Sequence, residues 1–330
     1  MPKNRKTAQE YAEGILQGDR SLLARSITII ESTLDSDRKI AEEILRLILP
    51  HTGNSIRIGI SGVPGVGKST FIDQFGLEII NRGNKLAVLA IDPSSAISGG
   101  SILGDKTRME HLSQKKDVFI RPSPSAGTLG GVASKTRESI YLCEAAGFDT
   151  IIVETVGVGQ SETAVHNMTD FFLLLMLSGA GDELQGIKRG IMEICDGMLI
   201  TKADGDNKIK AKAAMAEYRA ALHLFPPSAS NWIPKVLTCS AIEKTGIAEA
   251  FEMILSYKNQ TSINGYFFER RKNQEIEWVN EIINEELKNS FYSHHQIKMM
   301  FPHIKNQLEK KFISHSEAAR LILQAFHELK

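Results

Sequence analysis

The chain has 330 residues, a length that accommodates about two domains of average size and a large buried core without disulfides. Apolar residues make up 42% and charged residues 24% of the sequence, which excludes a disordered, collagen-like or coiled-coil protein. Lysine plus arginine and aspartate plus glutamate both total 39, so no net charge favours nucleic acid or an anionic membrane.

The cysteine pattern and the short apolar runs indicate the compartment. Three cysteines lie far apart and form no Cys-x-x-Cys pair: Cys143, Cys195 and Cys239. They predict buried thiols rather than a disulfide framework or a zinc site. The longest apolar run, residues 171–177, is far shorter than the ~20 residues of a membrane helix, and the polar start has no signal core. We expect a cytoplasmic protein with no membrane insertion and no nucleic-acid partner, since no basic stripe has interleaved aromatics.

Residues 1–50 have the apolar periodicity of helices. After a cap at Asp35 or Ser36, four apolar residues recur on one helical face: Ile40, Ile44, Leu45 and Ile48. Pro50 then ends the region. The sequence therefore predicts an N-terminal helical extension over residues 1–50.

Between residues 51 and 257, short apolar runs alternate with longer amphipathic segments. The runs are Ile56–Ile60, Leu86–Ile91, Val118–Ile120, Thr150–Val153, Phe171–Leu177, Gly197–Ile200 and Val236–Thr238. Nearly continuous apolar strands with helix-length spacers predict an α/β fold, a mostly parallel sheet with helices on both faces. Right-handed crossovers place the strand ends, and hence the ligands, along one edge.

Residues 258–330 lose the strand rhythm and continue as helices. One apolar stripe contains Trp278, Ile282, Ile283 and Leu287. A capping box at residues 314–317 starts the final helix. Two interpretations stay open, helices packed on the preceding domain and an oligomerisation region. The run Arg270-Arg271-Lys272 is predicted to be a solvated helix face.

A glycine-rich motif follows the first predicted strand. It matches the pattern GxxxxGK[ST] at every fixed position and consists of Gly62, Val63, Pro64, Gly65, Val66, Gly67, Lys68 and Ser69, with Thr70 in the helix that follows. Glycines let backbone N–H groups curl around phosphates, and a helix N-terminus attracts their charge. We expect Lys68 to reach the β- and γ-phosphates and the Ser69 hydroxyl to bind Mg²⁺.

Carboxylates end two of the predicted strands. Glu154 follows Thr150–Val153, and an acid at this place can hold the water shell of Mg²⁺. Gly157, three residues later, lets the backbone approach the γ-phosphate. Asp92 is the second strand-end carboxylate, and an Asx turn before Pro93 is its alternative interpretation.

The loop after Gly197–Ile200 has the composition of a guanine-binding element. Its sequence is Thr201-Lys202-Ala203-Asp204, similar to NKxD, in which the aspartate accepts from N1 and the exocyclic amine of guanine. Adenine has the opposite donor pattern at this edge, so Asp204 favours GTP over ATP. Thr201 replaces the usual asparagine, and we expect the lost amide to cost about 1 kcal/mol.

A second base-contacting loop follows the last predicted strand. It begins with Ser240 and Ala241, where a backbone N–H can meet the guanine carbonyl. Either loop alone is a weak signal. Both loops, in this order and each after a strand, favour a guanine nucleotide, GTP or GDP, as the ligand.

Together these residues resemble one family of P-loop GTPases, the MeaB/ArgK-type proteins, which include chaperones of methylmalonyl-CoA mutase. An older name for members of the family is LAO/AO transport system ATPase or kinase. The resemblance covers nearly the whole chain. Beyond the P-loop it rests on residues 92–95, 104–109, 154–162 and 179–188.

The resemblance implies a GTPase that binds an adenosylcobalamin-dependent acyl-CoA mutase, gates cofactor loading and protects the cofactor. It also implies a P-loop GTPase domain at 51–257 and a homodimer formed through 258–330. Carried over by position, Asp92, Asp105 and Glu154 would surround Mg²⁺ and the γ-phosphate together with Ser69. Lys188 would reach the nucleotide or the partner surface. The residues thereby assigned to catalysis are Lys68, Asp105, Glu154 and Lys188.

The residue after the switch II glycine affects the expected rate of GTP hydrolysis. Ras-like enzymes orient water with a glutamine after the switch II glycine, but Val158 occupies that position here and Gln160 lies two residues further on. We expect slow GTP hydrolysis, about 10⁻³ s⁻¹, that the partner accelerates.

Three alternative functions stay open beside the mutase chaperone. They are a nickel-delivery GTPase, an ATP-dependent LAO/AO transport system kinase or ATPase, and a non-catalytic nucleotide-bound adapter.

Overall fold

A parallel β-sheet forms the centre of the fold. The computed structural model describes residues 6–92, 109–124, 129–155, 161–179, 189–226 and 228–328. The strands in these ranges are β1 (Ile56–Gly62), β2 (Leu86–Asp92), β3 (Val118–Pro124), β4 (Thr150–Thr155), β5 (Phe171–Met176), β6 (Gly197–Ile200) and β7 (Lys235–Thr238). They form one seven-stranded sheet in the order β3-β2-β4-β1-β5-β6-β7, and every neighbouring pair is parallel. The predicted α/β fold is confirmed.

Helices precede, connect and follow the strands. Before the sheet lie α1 (Ala8–Leu16), α2 (Arg20–Glu31) and α3 (Asp35–Ile48). Between the strands lie α4 (Lys68–Asn81), α5 (Glu110–Ser113), α6 (Leu129–Ala145), α7 (Ser161–His166), α8 (Arg189–Glu193) and α9 (Lys208–Leu222). After β7 lie α10 (Ile247–Ile263), α11 (Tyr266–Ser293), α12 (His295–Glu309) and α13 (His315–His327).

Strand β1 occupies a central position between β4 and β5. The pairing with β4 aligns Ile60 with Glu154, and the pairing with β5 aligns Gly62 with Leu175. Every residue of β1, β4 and β5 is buried, as expected for a parallel sheet covered on both faces. The loop that follows β1 therefore begins at the middle of the carboxyl edge, where ligands of such sheets bind.

Apolar side chains fill both faces of the sheet. In β4, Ile151 and Val153 belong to one core cluster, whereas Ile152 belongs to the other, which contains Phe71 of α4 and Phe251 of α10. This alternation follows from the two-residue period of a strand. Each fully buried isoleucine or phenylalanine contributes about 1.5–3 kcal/mol, so the two clusters supply most of the stability.

The N-terminal helices cover one face of the sheet. Leu23 and Ile44 join the same core cluster as Ile151. Helix α1 starts with a capping box between Thr7 and Glu10. Helix α3 starts with Leu34 in the cap position and no side-chain cap hydrogen bond, so the predicted cap at Asp35 or Ser36 is wrong. Asp35 instead lies in the first turn, where its charge is favourable to the helix dipole.

Contacts divide the chain into two units, Met1–Gln274 and Glu275–Lys330. The second unit has a small core of its own, formed by Ile297, Ile304, Ala318 and Ile322. Ser314 caps α13, since its hydroxyl accepts from the Glu317 N–H at 3.2 Å, which is one of the two hydrogen bonds of the predicted capping box. The division into functional regions 1–50, 51–257 and 258–330 stays a prediction.

Two adjacent arginines of α11 bind carboxylates at the amino-terminal ends of strands. Arg271 forms a two-point ion pair with Asp170, just before β5, with Nε–Oδ1 at 2.7 Å and Nη2–Oδ2 at 2.6 Å. Nη1 of Arg270 lies 3.1 Å from Oδ2 of Asp196, just before β6. The predicted solvated face is therefore wrong for both arginines, and only Lys272 of the run is exposed.

The ion pairs determine the charge state of the buried acids. Burial by itself would raise the pKa of Asp170, but the hydrogen bonds and charge of Arg271 hold that pKa below its usual value. The same opposition acts at Glu144, where burial raises the pKa and Arg57, with Nε 2.9 Å from Oε1, lowers it to a greater extent. Both acids are therefore carboxylates at neutral pH.

The three cysteines are buried thiols, as the sequence predicts. Cys143, Cys195 and Cys239 are free and buried. Burial raises the pKa of Cys195 and that of Cys239 to about 12. None of the helices in the described ranges is long and apolar enough to cross a membrane.

We expect Arg271→Gln to lower the free energy of unfolding by about 3 kcal/mol at pH 7, because the buried Asp170 carboxylate loses its partner. Since the folded-state pKa of Asp170 is lowered, its stabilising effect is present above about pH 4 and is lost as the pH falls through the folded-state value. The difference from wild type should therefore shrink in acid. Urea unfolding at a series of pH values measures it.

The matched control is Lys272→Gln, at the exposed neighbouring position. This substitution should change the free energy of unfolding by less than about 0.5 kcal/mol. Equal destabilisation by both substitutions at pH 7 would contradict a specific role for Arg271.

Candidate nucleotide site

The loop after β1 has a backbone that only glycine accommodates at two positions. Gly67 caps α4 with φ 92°, a left-handed conformation that L side chains rarely adopt. At Gly62, a Cβ atom would lie 2.5 Å from the carbonyl oxygen of Leu175 on β5. Between them, Val66 is buried and its N–H donates to the carbonyl of Val63 at 3.2 Å. The loop thus directs the N-terminus of α4 toward the carboxyl edge, where its N–H groups attract anions.

The ammonium group of Lys68 lies against the loop. Its Nζ donates to the carbonyl oxygen of Gly62 at 2.8 Å and lies 3.5 Å from that of Val63. Partial burial lowers the pKa of Lys68, while the charges of Glu154 and Glu162 act in the opposite direction. A cation held beside the N-terminus of a helix is suited to bind phosphate oxygens.

Ser69 and Glu154 bring two oxygen donors together. The Ser69 hydroxyl donates to Oε1 of Glu154 at 3.3 Å, and Glu154 is buried at the end of β4. Mg²⁺ takes hard oxygen ligands such as hydroxyls and carboxylates, so these two residues fit the ion. The strand pairing that aligns Glu154 with Ile60 of β1 is what places it beside the P-loop.

A chain of buried polar side chains lies next to these donors, and sequence analysis assigned no individual role to its members. The Thr155 hydroxyl donates to Oγ of Ser61 at 2.8 Å, and the Ser61 hydroxyl lies 3.4 Å from Oε1 of Glu162. Glu162 is only 3% exposed, and its charge acts on Lys68. The available signal was its place in segment 154–162, on which the family resemblance rests.

The remaining phosphate-side predictions are tested only in part. Asp92 is the last residue of β2. The residue before it, Ile91, pairs with Thr155 of β4. Its backbone therefore lies at the same edge as Glu154. Asp105, Gly157 and Lys188, like Val158 and Gln160, lie outside the described residues, and their roles stay predictions.

Thr201 joins the loop after β6 to the phosphate loop. The residue is buried, and its hydroxyl donates to the carbonyl oxygen of Val66 at 2.8 Å. The same hydroxyl lies 3.2 Å from the carbonyl of Met176, which also accepts the Thr201 N–H at 2.8 Å. The residue that replaces asparagine thus supplies a bracing hydrogen bond of its own.

The two predicted base loops are adjacent in space. The Ser240 hydroxyl donates to Oδ2 of Asp204 at 2.6 Å and accepts from the Glu243 N–H at 3.0 Å. The Ala203 N–H donates to the carbonyl of Cys239 at 3.0 Å, which joins the loops through their backbones. Lys202 has a left-handed φ of 55° between these contacts. The structure therefore brings Lys202, Asp204, Ser240 and Ala241 to the same edge as the P-loop.

This arrangement defines a P-loop nucleoside triphosphatase. Its parts are a central strand, a glycine-rich loop with lysine and serine, the helix that follows, and a carboxylate on the neighbouring strand of the sheet. Residues 23–296 match the model of a family described as methylmalonyl Co-A mutase-associated GTPase MeaB. The chain belongs to this family. It is therefore a GTP hydrolase of the P-loop class, and the family resemblance predicted from the sequence is confirmed.

Relatives and a solved structure agree with this assignment. GTPase ArgK of Escherichia coli is 46% identical over 290 residues, 88% of each chain. The mitochondrial methylmalonic aciduria type A homolog of Mus musculus is 42% identical over 334 residues, 98% of this chain and 80% of the mouse protein. A crystal structure described as LAO/AO transport system kinase is 35% identical, has a TM-score of 0.80 and covers 99% of this chain and 100% of that chain.

We expect Thr201→Val to weaken GDP binding about tenfold, or ~1.4 kcal/mol, because the Val66 carbonyl loses its donor while the side-chain shape is kept. Titration of a fluorescent GDP analogue measures the affinity. Thr201→Ser keeps the hydroxyl and serves as the control, with an affinity within about twofold of wild type. Wild-type affinity in Thr201→Val would show that this hydrogen bond does not support the site.

Proposed function

We propose that the protein is a Mg²⁺-dependent GTPase that acts as a chaperone of an adenosylcobalamin-dependent acyl-CoA mutase, with methylmalonyl-CoA mutase as the first candidate. In this role it gates loading of the cofactor and protects it. The observation that carries the nucleotide part is the contact between Asp204 and Ser240 beside a P-loop. The family description and the name of the mouse relative support the partner.

The carboxylate of Asp204 would read guanine. Guanine presents two donors, N1–H and the exocyclic amine, and a carboxylate accepts both. The Ser240 hydroxyl, 2.6 Å from Oδ2, limits the rotation of the carboxylate, which favours a fixed geometry toward the base. Adenine would meet the same carboxylate with an acceptor at N1, which disfavours ATP.

Phosphoryl transfer to water depends on positioning and on charge neutralisation. Lys68 would bind β- and γ-phosphate oxygens, and the N–H groups of residues 62–69 would surround them. Ser69 and Glu154 would hold Mg²⁺. Asp92 and Asp105 would supply further carboxylates around the ion and the γ-phosphate. When bound, the ion neutralises charge on the β- and γ-phosphates.

Hydrolysis by the isolated protein would be slow. Val158 has no group that can orient water, where Ras-like enzymes have glutamine. Lys188 would then contribute when the partner binds, as a further positive charge at the γ-phosphate. The three free thiols support a reducing compartment, and the cytoplasm is the location that we propose.

A homodimer through region 258–330 is part of the proposal. Four apolar side chains of α11 recur at intervals of three and four and are all exposed: Ile276 54%, Val279 54%, Ile283 50% and Leu287 62%. Such an apolar stripe on one helical face is stabilised when a partner buries it. In a symmetric dimer, the same stripe on the second copy of α11 would cover it.

The nucleotide assignment is tested by competition of GDP and ADP against a fluorescent guanine nucleotide with Mg²⁺. We expect GDP to bind at least about a hundredfold more tightly, a difference of ~2.7 kcal/mol. Asp204→Asn should lose this preference and gain affinity for xanthosine diphosphate, whose C2 carbonyl accepts a hydrogen bond where the exocyclic amine of guanine donates one. Equal affinities for GDP and ADP in wild type would favour the transport ATPase or adapter alternative.

The partner is tested by measuring GTP turnover with and without purified acyl-CoA mutases. A cognate mutase should accelerate turnover at least tenfold, from a basal rate of about 10⁻³ s⁻¹. The Lys68→Ala variant, tested in parallel, should show no turnover in either condition. Basal turnover of several per second, or no response to any cobalamin-dependent mutase, would refute the chaperone role.

The dimer is tested by sedimentation of wild type and of Ile283→Glu. The charge on the exposed stripe should shift the protein from dimer to monomer and leave the far-UV circular dichroism of the folded chain unchanged. Glu281→Lys, which changes charge on the same helix outside the stripe, serves as the control. A monomeric wild type at micromolar concentration would exclude the homodimer.

A further inference from the structure

The base side of the site contains an asparagine to which sequence analysis assigned no role. Asn207 directly precedes α9, and its side chain is partly buried between two chain segments at the carboxyl edge of the sheet. We propose that Asn207 is a positioning residue for guanine nucleotides, since it fixes the backbone of Lys202 beside Asp204. The proposal rests on the proposed function, because it concerns the base-binding half of the same site.

Two side-chain hydrogen bonds of Asn207 join separate parts of this edge. Its Nδ2 donates to the carbonyl oxygen of Lys202 at 2.7 Å, and its Oδ1 accepts from the Ser178 hydroxyl at 2.7 Å. Ser178 is the second residue after β5. Because a carbonyl oxygen can only accept, the amide nitrogen must face Lys202, which leaves Oδ1 for Ser178. Asn207 therefore links the loop after β6 to the chain that leaves β5.

The side chain of Asn207 does not perform the usual task of its position. Asparagine is among the best helix-capping residues, and Asn207 is the N-cap residue of α9. Within the described part of the chain, however, its side chain makes no cap hydrogen bond to α9. Its backbone N–H also bonds to the base loop, since it donates to the carbonyl oxygen of Asp204 at 3.0 Å. Both donors of Asn207 thus support the loop rather than the helix.

Lys202 has a backbone conformation that needs such support. Its φ of 55° lies in the left-handed region, which is unfavourable for a residue with a Cβ atom. On either side of it, the N–H groups of Thr201 and Ala203 donate to carbonyl oxygens of the carboxyl edge at 2.8 and 3.0 Å. Those bonds hold the flanking residues, whereas Asn207 holds the carbonyl of Lys202 itself. The strained residue is thereby fixed at each of its peptide groups.

A fixed Lys202 bears on base binding because its side chain is exposed. The methylene stem of a lysine covers apolar surface while the ammonium group stays in water, and the face of a purine is such a surface. The stem starts two residues before Asp204, the carboxylate that would accept from the guanine edge. Since Asn207 sets the loop before a nucleotide arrives, less conformational freedom is lost on binding, which raises the affinity.

The test compares wild type with Asn207→Ala and Asn207→Asp. In Asn207→Ala we expect about tenfold weaker GDP binding and an equal rise in the KM for GTP, with kcat within about twofold of wild type. The rise is in KM because slow hydrolysis makes KM equal to the dissociation constant of GTP. Partial unfolding would instead lower kcat and leave KM unchanged. Asn207→Asp places an oxygen against the Lys202 carbonyl, so it should bind GDP no better than the alanine variant despite its similar shape.

The matched control is Asp206→Ala, at the exposed neighbouring position of the same turn. This variant should bind GDP within about twofold of wild type. Ser178→Ala keeps the amide of Asn207 but removes its second contact, and it should weaken GDP binding about threefold. The serine variant also keeps the proposal testable if Asn207→Ala does not fold.

A double variant shows whether Asn207 acts through Lys202. In a Lys202→Ala background the methylene stem is absent, so Asn207→Ala should weaken GDP binding by no more than about twofold further. Wild-type GDP affinity in Asn207→Ala, or a further tenfold loss in the Lys202→Ala background, would overturn the proposal. A wild-type protein that binds GDP and ADP equally would instead remove the guanine assignment, and the role of Asn207 with it.

Discussion

The parallel pairing of β1 with β4 is the constraint on which the site depends. It aligns Ile60 with Glu154, so the chain turns into the phosphate loop one strand away from the carboxylate that faces Ser69. The pairing of β1 with β5 leaves no room for a side chain at Gly62, which makes the turn tight. Because the core packs both faces of these strands, a slip in their register would exchange side chains between two differently packed clusters and disrupt both. The geometry of the phosphate side is thus maintained by the same burial that stabilises the fold.

Hydrogen bonds also connect the P-loop to the two predicted base-contacting loops, which follow β6 and β7. The Thr201 hydroxyl bonds to the phosphate loop, and Ser240 bonds to Asp204. The base loops are therefore attached both to each other and to the P-loop. The asparagine of the usual motif is not required for such a link, because a buried hydroxyl at the same position also reaches a carbonyl.

The sequence predicted what depends on neighbouring residues in the chain. Buried strands are continuous apolar runs, and the P-loop is a contiguous motif. The strand bounds were therefore predicted to within two residues, except for β3, which continues four residues beyond its predicted end to Pro124. Contacts between distant residues were not predicted. Arg271 has the composition of a surface charge run, and only the fold brings it to Asp170, 101 residues earlier. Likewise, nothing near Asp73 in the sequence indicates that its acceptor oxygens bind α5, because Leu112 lies 39 residues later.

The burial of the native thiols has a practical consequence for work on this protein. Burial raises the pKa of Cys195 and that of Cys239 to about 12, so the thiol and not the reactive thiolate predominates at neutral pH. Cys143 is fully buried as well. Alkylating reagents should therefore leave the folded chain unmodified, and a single cysteine introduced at an exposed site would accept a spectroscopic label selectively. The wild-type sequence can serve as the background for distance measurements without prior removal of its own thiols.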